Sequence, residues 1–335
     1  MKKDWKKLIR IVDSFENTPV MVAGDLVLDR FWFGAVQRIS REAPVPIVRL
    51  FKAFLAPGCA ANSAANLASL GARPIVVGVV GKDNEGGQLI KLLESLGADT
   101  GNILREPSWT TPTKTRILAG TIHGPKQQLV RVDIGEDAVF TGKVVGKLEK
   151  AVEKAVSKAK ASVISDYGYG LAESVDLLKI LGNKRITAVD SRFRMTSFSG
   201  ATTATPNEEE FERAIGKAAP EDIRNFDREA EALRRRLKLE ALLVTRGSRG
   251  MALFEGSKRP VHIPVVGKDE IVDVTGAGDT VIAAYVISLA RGASFEEAAH
   301  IANAAGGIAV QKPGTATVSR AELAEWIELW GRGKI

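Results

Sequence analysis

Short apolar runs alternate with longer segments of helical period along most of this chain, and that rhythm restricts the fold more than any other feature. Strand-like runs fall at 20–23, 75–80, 162–165, 186–189 and 242–245, most of them bounded by Gly, Asp or Asn. Helix-like stretches fall at 60–70, 85–96, 142–159 and 171–181, and Gly71, Gly97 and Gly182 follow three of them. Glycine enters the left-handed backbone region without a Cβ clash, which makes it a natural helix stop. Repeated strand–helix–strand crossovers build a mainly parallel sheet with helices on both faces, and such a sheet takes ligands beyond the carboxyl ends of its strands. Segments 31–54 and 113–133 break the rhythm: they are rich in Val, Ile, Phe and Arg, and the first carries Pro44 and Pro46. They predict a small second sheet that lies over the main one as a lid and excludes water.

The 335 residues are 45% hydrophobic and 26% charged, the balance of a soluble globular protein, and no linker, repeat or low-complexity tract divides them. A single domain over 1–335 is therefore expected. Cys59, the lone cysteine, excludes an intramolecular disulfide and a Cys-built zinc site and suits a reducing, cytoplasmic location; its plainest use is as a small buried apolar residue. Four lysines lie within residues 1–7, but no apolar signal core follows, and the longest apolar run, 281–289, is about half of a membrane span. Trp5, Leu8, Ile9, Val12 and Phe15 share one helical face, which predicts a first helix docked on the chain's own core. The net charge of +7 comes from dispersed residues with no aromatic-interleaved basic stretch, so a small anionic substrate is expected rather than nucleic acid or a membrane.

The most specific string is Asp273-Val274-Thr275-Gly276-Ala277-Gly278-Asp279-Thr280, followed by an Ala/Val/Ile helix. Gly276 and Gly278 let the backbone approach a ligand, and the free amides of a first helical turn attract phosphate oxygens. Asp279 there can accept the proton of an attacking hydroxyl, and needs no raised pKa to do so; a plain helix cap would use the same residue. Asn207-Glu208-Glu209-Glu210 after Thr205-Pro206 reads as an acidic helix start, the plainer reading for Glu208 and Glu209, while a carboxylate at this place can hold Mg²⁺ through water. Thr245-Arg246-Gly247 with Gly250 ends an apolar strand, and a hairpin into 251–254 explains it without a nucleotide. Near the N-terminus, Asp25 and Asp29 follow the first strand, where a carboxylate can accept hydrogen bonds from sugar hydroxyls, or, for Asp25, support the turn.

These motifs resemble the ribokinase-like (PfkB) carbohydrate kinases, whose C-terminal signature is D-T-x-G-A-G-D. The resemblance implies an α/β ribokinase-like fold with a β-sheet lid, and ATP and Mg²⁺ as cosubstrate and metal. It makes Asp279 the catalytic base and the amides of Gly276, Ala277 and Gly278 the anion hole. An N-x-x-E match assigns Asn207 and Glu210 to Mg²⁺ and phosphate, Thr245, Gly247 and Gly250 to the nucleotide turn, and Asn303 and Gly314 to the adenine border. On the sugar side it implies Asp29 together with Gly58 and Asn62 of Pro57-Gly58-Cys59-Ala60-Ala61-Asn62, where Cys59 replaces a usual glycine.

A longer stretch, Gly24-Asp25 … Leu28-Asp29-Arg30-Phe31-Trp32-Phe33-Gly34 … Arg38-Ile39-Ser40-Arg41-Glu42-Ala43-Pro44-Val45-Pro46, with Thr113-Lys114-Thr115-Arg116, 127–133 and Ser165-Asp166-Tyr167, resembles the kinase domain of bacterial ADP-heptose synthesis enzymes. Those phosphorylate D-glycero-β-D-manno-heptose 7-phosphate at O1 on the way to the lipopolysaccharide core. A substrate with a second phosphate calls for cations, and Arg38, Lys114, Arg116 and Arg131 are the candidates, although solvated charges on edge strands account for them as well. The chain departs from that subgroup at Arg41, Tyr169 and Asp190-Ser191-Arg192, and 123–126 looks inserted. Bifunctional members carry an H-x-G-H motif that this sequence lacks, so a kinase without the second activity is expected. An exposed lid could pair two copies into a homodimer. A kinase for another sugar, or a nucleotide-binding scaffold without turnover, are the competing readings.

Overall fold

Among the described residues thirteen strands run, in chain order, as β1 Pro19–Gly24, β2 Leu26–Ile39, β3 Pro46–Cys59, β4 Arg73–Gly81, β5 Asp99–Glu106, β6 Thr113–Gly120, β7 Gln127–Ile134, β8 Ala161–Asp166, β9 Ile186–Ser191, β10 Thr203–Ala204, β11 Ala241–Thr245, β12 Met251–Glu255 and β13 Val261–Ile263. The structure is a computed structural model that describes residues 4–120, 126–135, 139–182, 185–266 and 272–334. Nine strands form one sheet in the order β13-β12-β11-β10-β9-β8-β1-β4-β5. Its strands from β11 to β5 pair in parallel, and β12 and β13 add an antiparallel edge.

Alternate residues of β1 feed two cores. Val20 and Val22 face one cluster, with Leu67, Tyr285 and Ile301; Met21 and Ala23 face the other, with Leu148, Val152 and Leu233. A strand buried on both faces reads as one continuous apolar run, which is why β1, β4 and β8 were legible. The helix Ala277–Ala290 is apolar on all sides because it is enclosed: Thr280 to Leu289 are all buried. Leu8 and Val12 of the first helix, Trp5–Asp13, are buried, as is Phe15 in the turn that follows it, and Trp5 lies so close to Gly331 that a Cβ there would overlap its ring, so this helix docks on the chain's own core as expected.

The second sheet has the order β3-β2-β6-β7, with β2 and β6 parallel and the outer pairs antiparallel. It is the expected lid, with wider strands: β2 begins at Leu26 and β3 ends at Cys59, so the lid grows directly out of the loops beyond β1. Of the segment that looks inserted, 123–125 lie outside the described residues.

The stretch 171–181 is not one helix. It divides into Leu171–Ser174 and Leu177–Leu181, because Val175 is buried in extended backbone and the Asp176 side chain caps the second piece by accepting from the Lys179 amide. The strand β5 (Asp-Thr-Gly-Asn-Ile-Leu-Arg-Glu) has too few apolar residues to stand out in the sequence, and β10 has two residues. Among the described residues, no helix is long and apolar enough to cross a membrane.

Candidate active site

The loops beyond β1 and β8, the root of the lid and the start of the Ala277–Ala290 helix converge at one end of the main sheet. Asp25 is buried and accepts from the amides of Tyr167 (2.8 Å), Tyr169 (3.1 Å) and Leu171 (3.3 Å). It therefore supports the 166–171 loop, and its neighbour Asp29 is left to face the lid.

Asp279 is 4% exposed, and both of its oxygens are held from the Ala60–Ser69 helix: Asn62 Nδ2 donates to Oδ2 at 2.7 Å and Ser63 Oγ to Oδ1 at 2.7 Å. The Tyr167 hydroxyl reaches Oδ1 at 3.5 Å. Burial pushes the Asp279 carboxyl up to about 6, with Asp29 adding to the rise and Asn62, Ser63 and Lys114 opposing it. A carboxyl with that pKa is half ionised near pH 6 and mostly ionised at neutrality, and it is a stronger proton acceptor than the ordinary carboxyl assumed from sequence. Gly276, at φ +76°, is required here: a Cβ would lie 2.7 Å from Asn62 Nδ2, the atom that holds Asp279. The Ala277 amide, one of the three that the resemblance assigns to the anion hole, donates to the Val274 carbonyl at 3.2 Å; the first-turn amides of Gly278 and Asp279 come next in the helix, ahead of the first intrahelical bond from Thr280. A Cβ added at Gly278 would meet only open space.

Opposite lies the lid root. Asp29 is buried and ion-paired with Arg116 at 2.7 Å; burial raises its pKa, and Arg116, Lys114 and Arg131 pull it back. A Cβ at Gly58 would come within 2.9 Å of the Asp29 carboxylate, so this glycine leaves room for the acid. Arg116 also lies over the Phe31 ring at 5.1 Å. The four candidate phosphate cations fall in different places. Lys114 is buried beside Tyr167 and Tyr169, Arg116 is paired with Asp29, Arg131 forms a two-pronged pair with Asp133 on its own strand, and Arg38 is exposed on β2. Arg116 and Arg131 are direct partners across β6 and β7.

The nucleotide-side residues are organised locally. Asn207 and Glu210 form a reciprocal capping box at 2.9 Å in each direction at the start of the Glu208–Ile215 helix. Asn207 is bridged to Thr245, whose amide bonds the Pro206 carbonyl. Glu208 is more than an acidic helix start: it accepts from Arg246 at 3.1 Å and Arg249 at 2.6 Å, and so ties that helix to the Gly247–Gly250 turn. The turn does join β11 and β12 as a hairpin. Asn303 donates to the Pro264 carbonyl at 2.8 Å, and the Gly314 amide bonds Asp273 at 2.9 Å, which fastens the 273–280 string to the C-terminal segment.

Three residues were not assigned from sequence: Ser63, Tyr167 and Asp190. Asn62-Ser63 is a polar pair in an Ala-rich helix, and that contrast was the available signal. Asp190 is buried and lies 3.3 Å from the Tyr167 hydroxyl; burial lifts its pKa well above the usual range, and the charges of Glu210 and Asp279 lift it further. Burial likewise raises Glu210. Carboxylates that oppose one another's ionisation fit a divalent cation, and among the described residues no three ligands are close enough to chelate one directly. Those donors suit a hydrated Mg²⁺ held by hard oxygens.

The family model for pfkB carbohydrate kinases matches residues 53–322. This chain belongs to that family. It is 41% identical over 315 residues to the bifunctional protein HldE of Haemophilus influenzae, covering 92% of this chain and 63% of the relative. HldE of Vibrio vulnificus is 39% identical over 322 residues, with 95% and 65% covered. The chain thus spans just under two thirds of the length of these relatives. Two solved structures share the fold: Arabidopsis thaliana ribokinase complexed with ribose and ATP (TM-score 0.71, 19% identity, 93% of this chain and 99% of that one) and Escherichia coli phosphofructokinase-2 with substrates and products (0.73, 18%, 93% and 98%).

Proposed function

We propose that the chain transfers the γ-phosphoryl group of ATP to O1 of D-glycero-β-D-manno-heptose 7-phosphate, giving the 1,7-bisphosphate for ADP-heptose synthesis in the cytoplasm. The observation that carries this reading is Asp279, gripped by Asn62 and Ser63 at the head of a helix where a Cβ at Gly278 would meet only open space. In it, Asp29 and Asn62 orient the sugar and Asp279 takes the O1 proton, while the amides of Gly278 and Asp279 receive phosphate oxygens. Asn207 and Glu210, with Asp190 behind them, would hold Mg²⁺ through water, and that ion would neutralise phosphate charge. Thr245, Gly247, Gly250, Asn303 and Gly314 border the nucleotide. Arg38, Arg116 and Arg131 are the lid cations available to the 7-phosphate, and Lys114 lies at the lid's root.

HldE relatives at about 40% identity over nearly the whole chain support the heptose substrate over another sugar. The lid exposes Phe51 (63%), Ile134 (48%), Val132 (47%) and Val130 (46%), and a second copy of the chain would cover them as a homodimer. Sedimentation of the full chain reads that directly. For the activity, ADP release is followed with heptose 7-phosphate beside ribose, fructose 1-phosphate and fructose 6-phosphate. The heptose phosphate should give the highest kcat/KM; a preference of tenfold or more for any of the others would reassign the substrate.

A further inference from the structure

Lys114 is a buried cation whose charge is felt by the Asp29 and Asp279 carboxylates but paired with neither. It is 8% exposed, and among the described residues it forms no ion pair; its hydrogen bond goes to the Cys59 thiol at 3.5 Å. Its ammonium lies 5.7 Å and 5.5 Å from the ring centres of Tyr167 and Tyr169. An ammonium has three donors and a thiol is a weak acceptor, so a buried cation is held here with most of its hydrogen-bonding capacity unused. Aromatic faces ease such a charge without quenching it.

A second observation is independent of the first. Cys59 has φ +53° and ψ −128°, a backbone region that side-chain-bearing residues rarely occupy. Strain of this kind persists only where the surroundings impose it. Here it places the thiol against Lys114 at the head of the same helix that supplies Asn62 and Ser63 to Asp279.

We propose that Lys114, seated by Cys59, Tyr167 and Tyr169, is a catalytic residue that meets the equatorial oxygens of the phosphoryl group in transfer, and does not bind the distal phosphate of the sugar. The inference rests on the kinase reading above. Position decides between the two roles. Lys114 is paired with Asp29 across β2 and β6 at the root of the lid, and its cation rests on Tyr167, whose hydroxyl reaches Asp279. Arg116 and Arg131 lie farther along the lid strands. As the sugar oxygen bonds to Pγ, the bond from Pγ to the ADP oxygen breaks, ADP leaves, and the sugar hydroxyl proton passes to Asp279. Negative charge is then spread over three phosphoryl oxygens, and a desolvated cation already fixed beside them needs no reorganisation.

The test uses the full chain with ATP and heptose 7-phosphate. Lys114→Met should lower kcat by about a hundredfold or more with the sugar KM within threefold, since removing one such donor typically costs 10²–10³. It should also abolish the sugar-dependent tight binding of ADP with aluminium fluoride. A sugar KM raised tenfold or more with kcat unchanged would make Lys114 a ground-state phosphate clamp and overturn the proposal. Cys59→Gly, which removes strain, guards against a misfolded first variant. It should melt at or above the wild-type temperature yet lose about three- to tenfold in kcat at constant KM; an unchanged kcat overturns the seating role. Failure of the kinase reading itself is distinguishable, because the unaltered chain would then show no sugar-dependent ADP release.

Discussion

Asp279 and Glu210 each lie in the first turn of a helix, and they are held in opposite ways. Asp279 is fixed by Asn62 and Ser63, which lie 217 and 216 residues away in sequence. Glu210 is fixed by Asn207, three residues away, in a capping box of its own helix. Local capping explains Glu210 without any ligand. Nothing local explains Asp279: among the described residues its side chain accepts from Asn62, Ser63 and Tyr167, all of them on distant elements. A carboxylate that the whole fold is arranged to bury and bond is a stronger mark of chemistry than a motif match alone.

The largest expected effect separates the two directly. Asp279→Asn should lower kcat by about a hundredfold or more while ATP still binds, because general-base loss is typically worth roughly 10²–10⁴. Turnover kinetics beside equilibrium nucleotide binding measure it, and a kcat within threefold of wild type would place Asp279 with the caps.

The next effect is on stability. The Asp279 carboxyl titrates near 3.8 as a free side chain and at about 6 in the fold, where burial disfavours its charge. Between those values the folded chain binds more protons than the unfolded one, so the contribution is fully present below about pH 4 and is lost as pH rises through 6. Asp279→Asn should therefore be the more stable protein at pH 8, by on the order of 3 kcal/mol, and lose that advantage near pH 4. Urea unfolding at both pH values reads this; a variant less stable than wild type at pH 8 breaks the assignment.

On the other side of the comparison, Asn207→Ala should cost about 1 kcal/mol of stability, as loss of a cap does, and raise the Mg²⁺ concentration needed for half-maximal rate. Loss of stability with an unmoved Mg²⁺ requirement would leave Asn207 a cap alone. The smallest effect belongs to Glu209, whose side chain is 76% exposed and pairs with Arg213 in the i,i+4 relation. Glu209→Gln should change kcat less than twofold and leave Tm in place, because a surface pair contributes little.

The same contrast explains what could be read in advance. The 273–280 string was legible because its demands are local: glycine where φ is positive and a Cβ would strike Asn62, and small residues where a helix head must stay open. The parallel strands were legible because burial on both faces leaves uninterrupted apolar runs. Ser63, Tyr167 and Asp190 were not, since Ser, Tyr and Asp are common and what singles these out is a partner more than twenty residues away. Arg246 and Arg249 likewise gain their meaning from Glu208, 38 and 41 residues earlier. The break inside 171–181 was invisible because Val175, a residue compatible with a helix, is drawn into extended backbone by burial against its neighbours.

The claim at the centre is that one carboxylate, raised by burial and steadied by Asn62 and Ser63, removes the proton from the sugar. The pH dependence of kcat/KM for sugar-dependent ADP release tests it most directly, with wild type and Asp279→Asn measured side by side. The account predicts a wild-type rate that falls below about pH 6 and a residual variant rate that is flat across the same range. A variant that keeps both the wild-type inflection and the wild-type rate would contradict it.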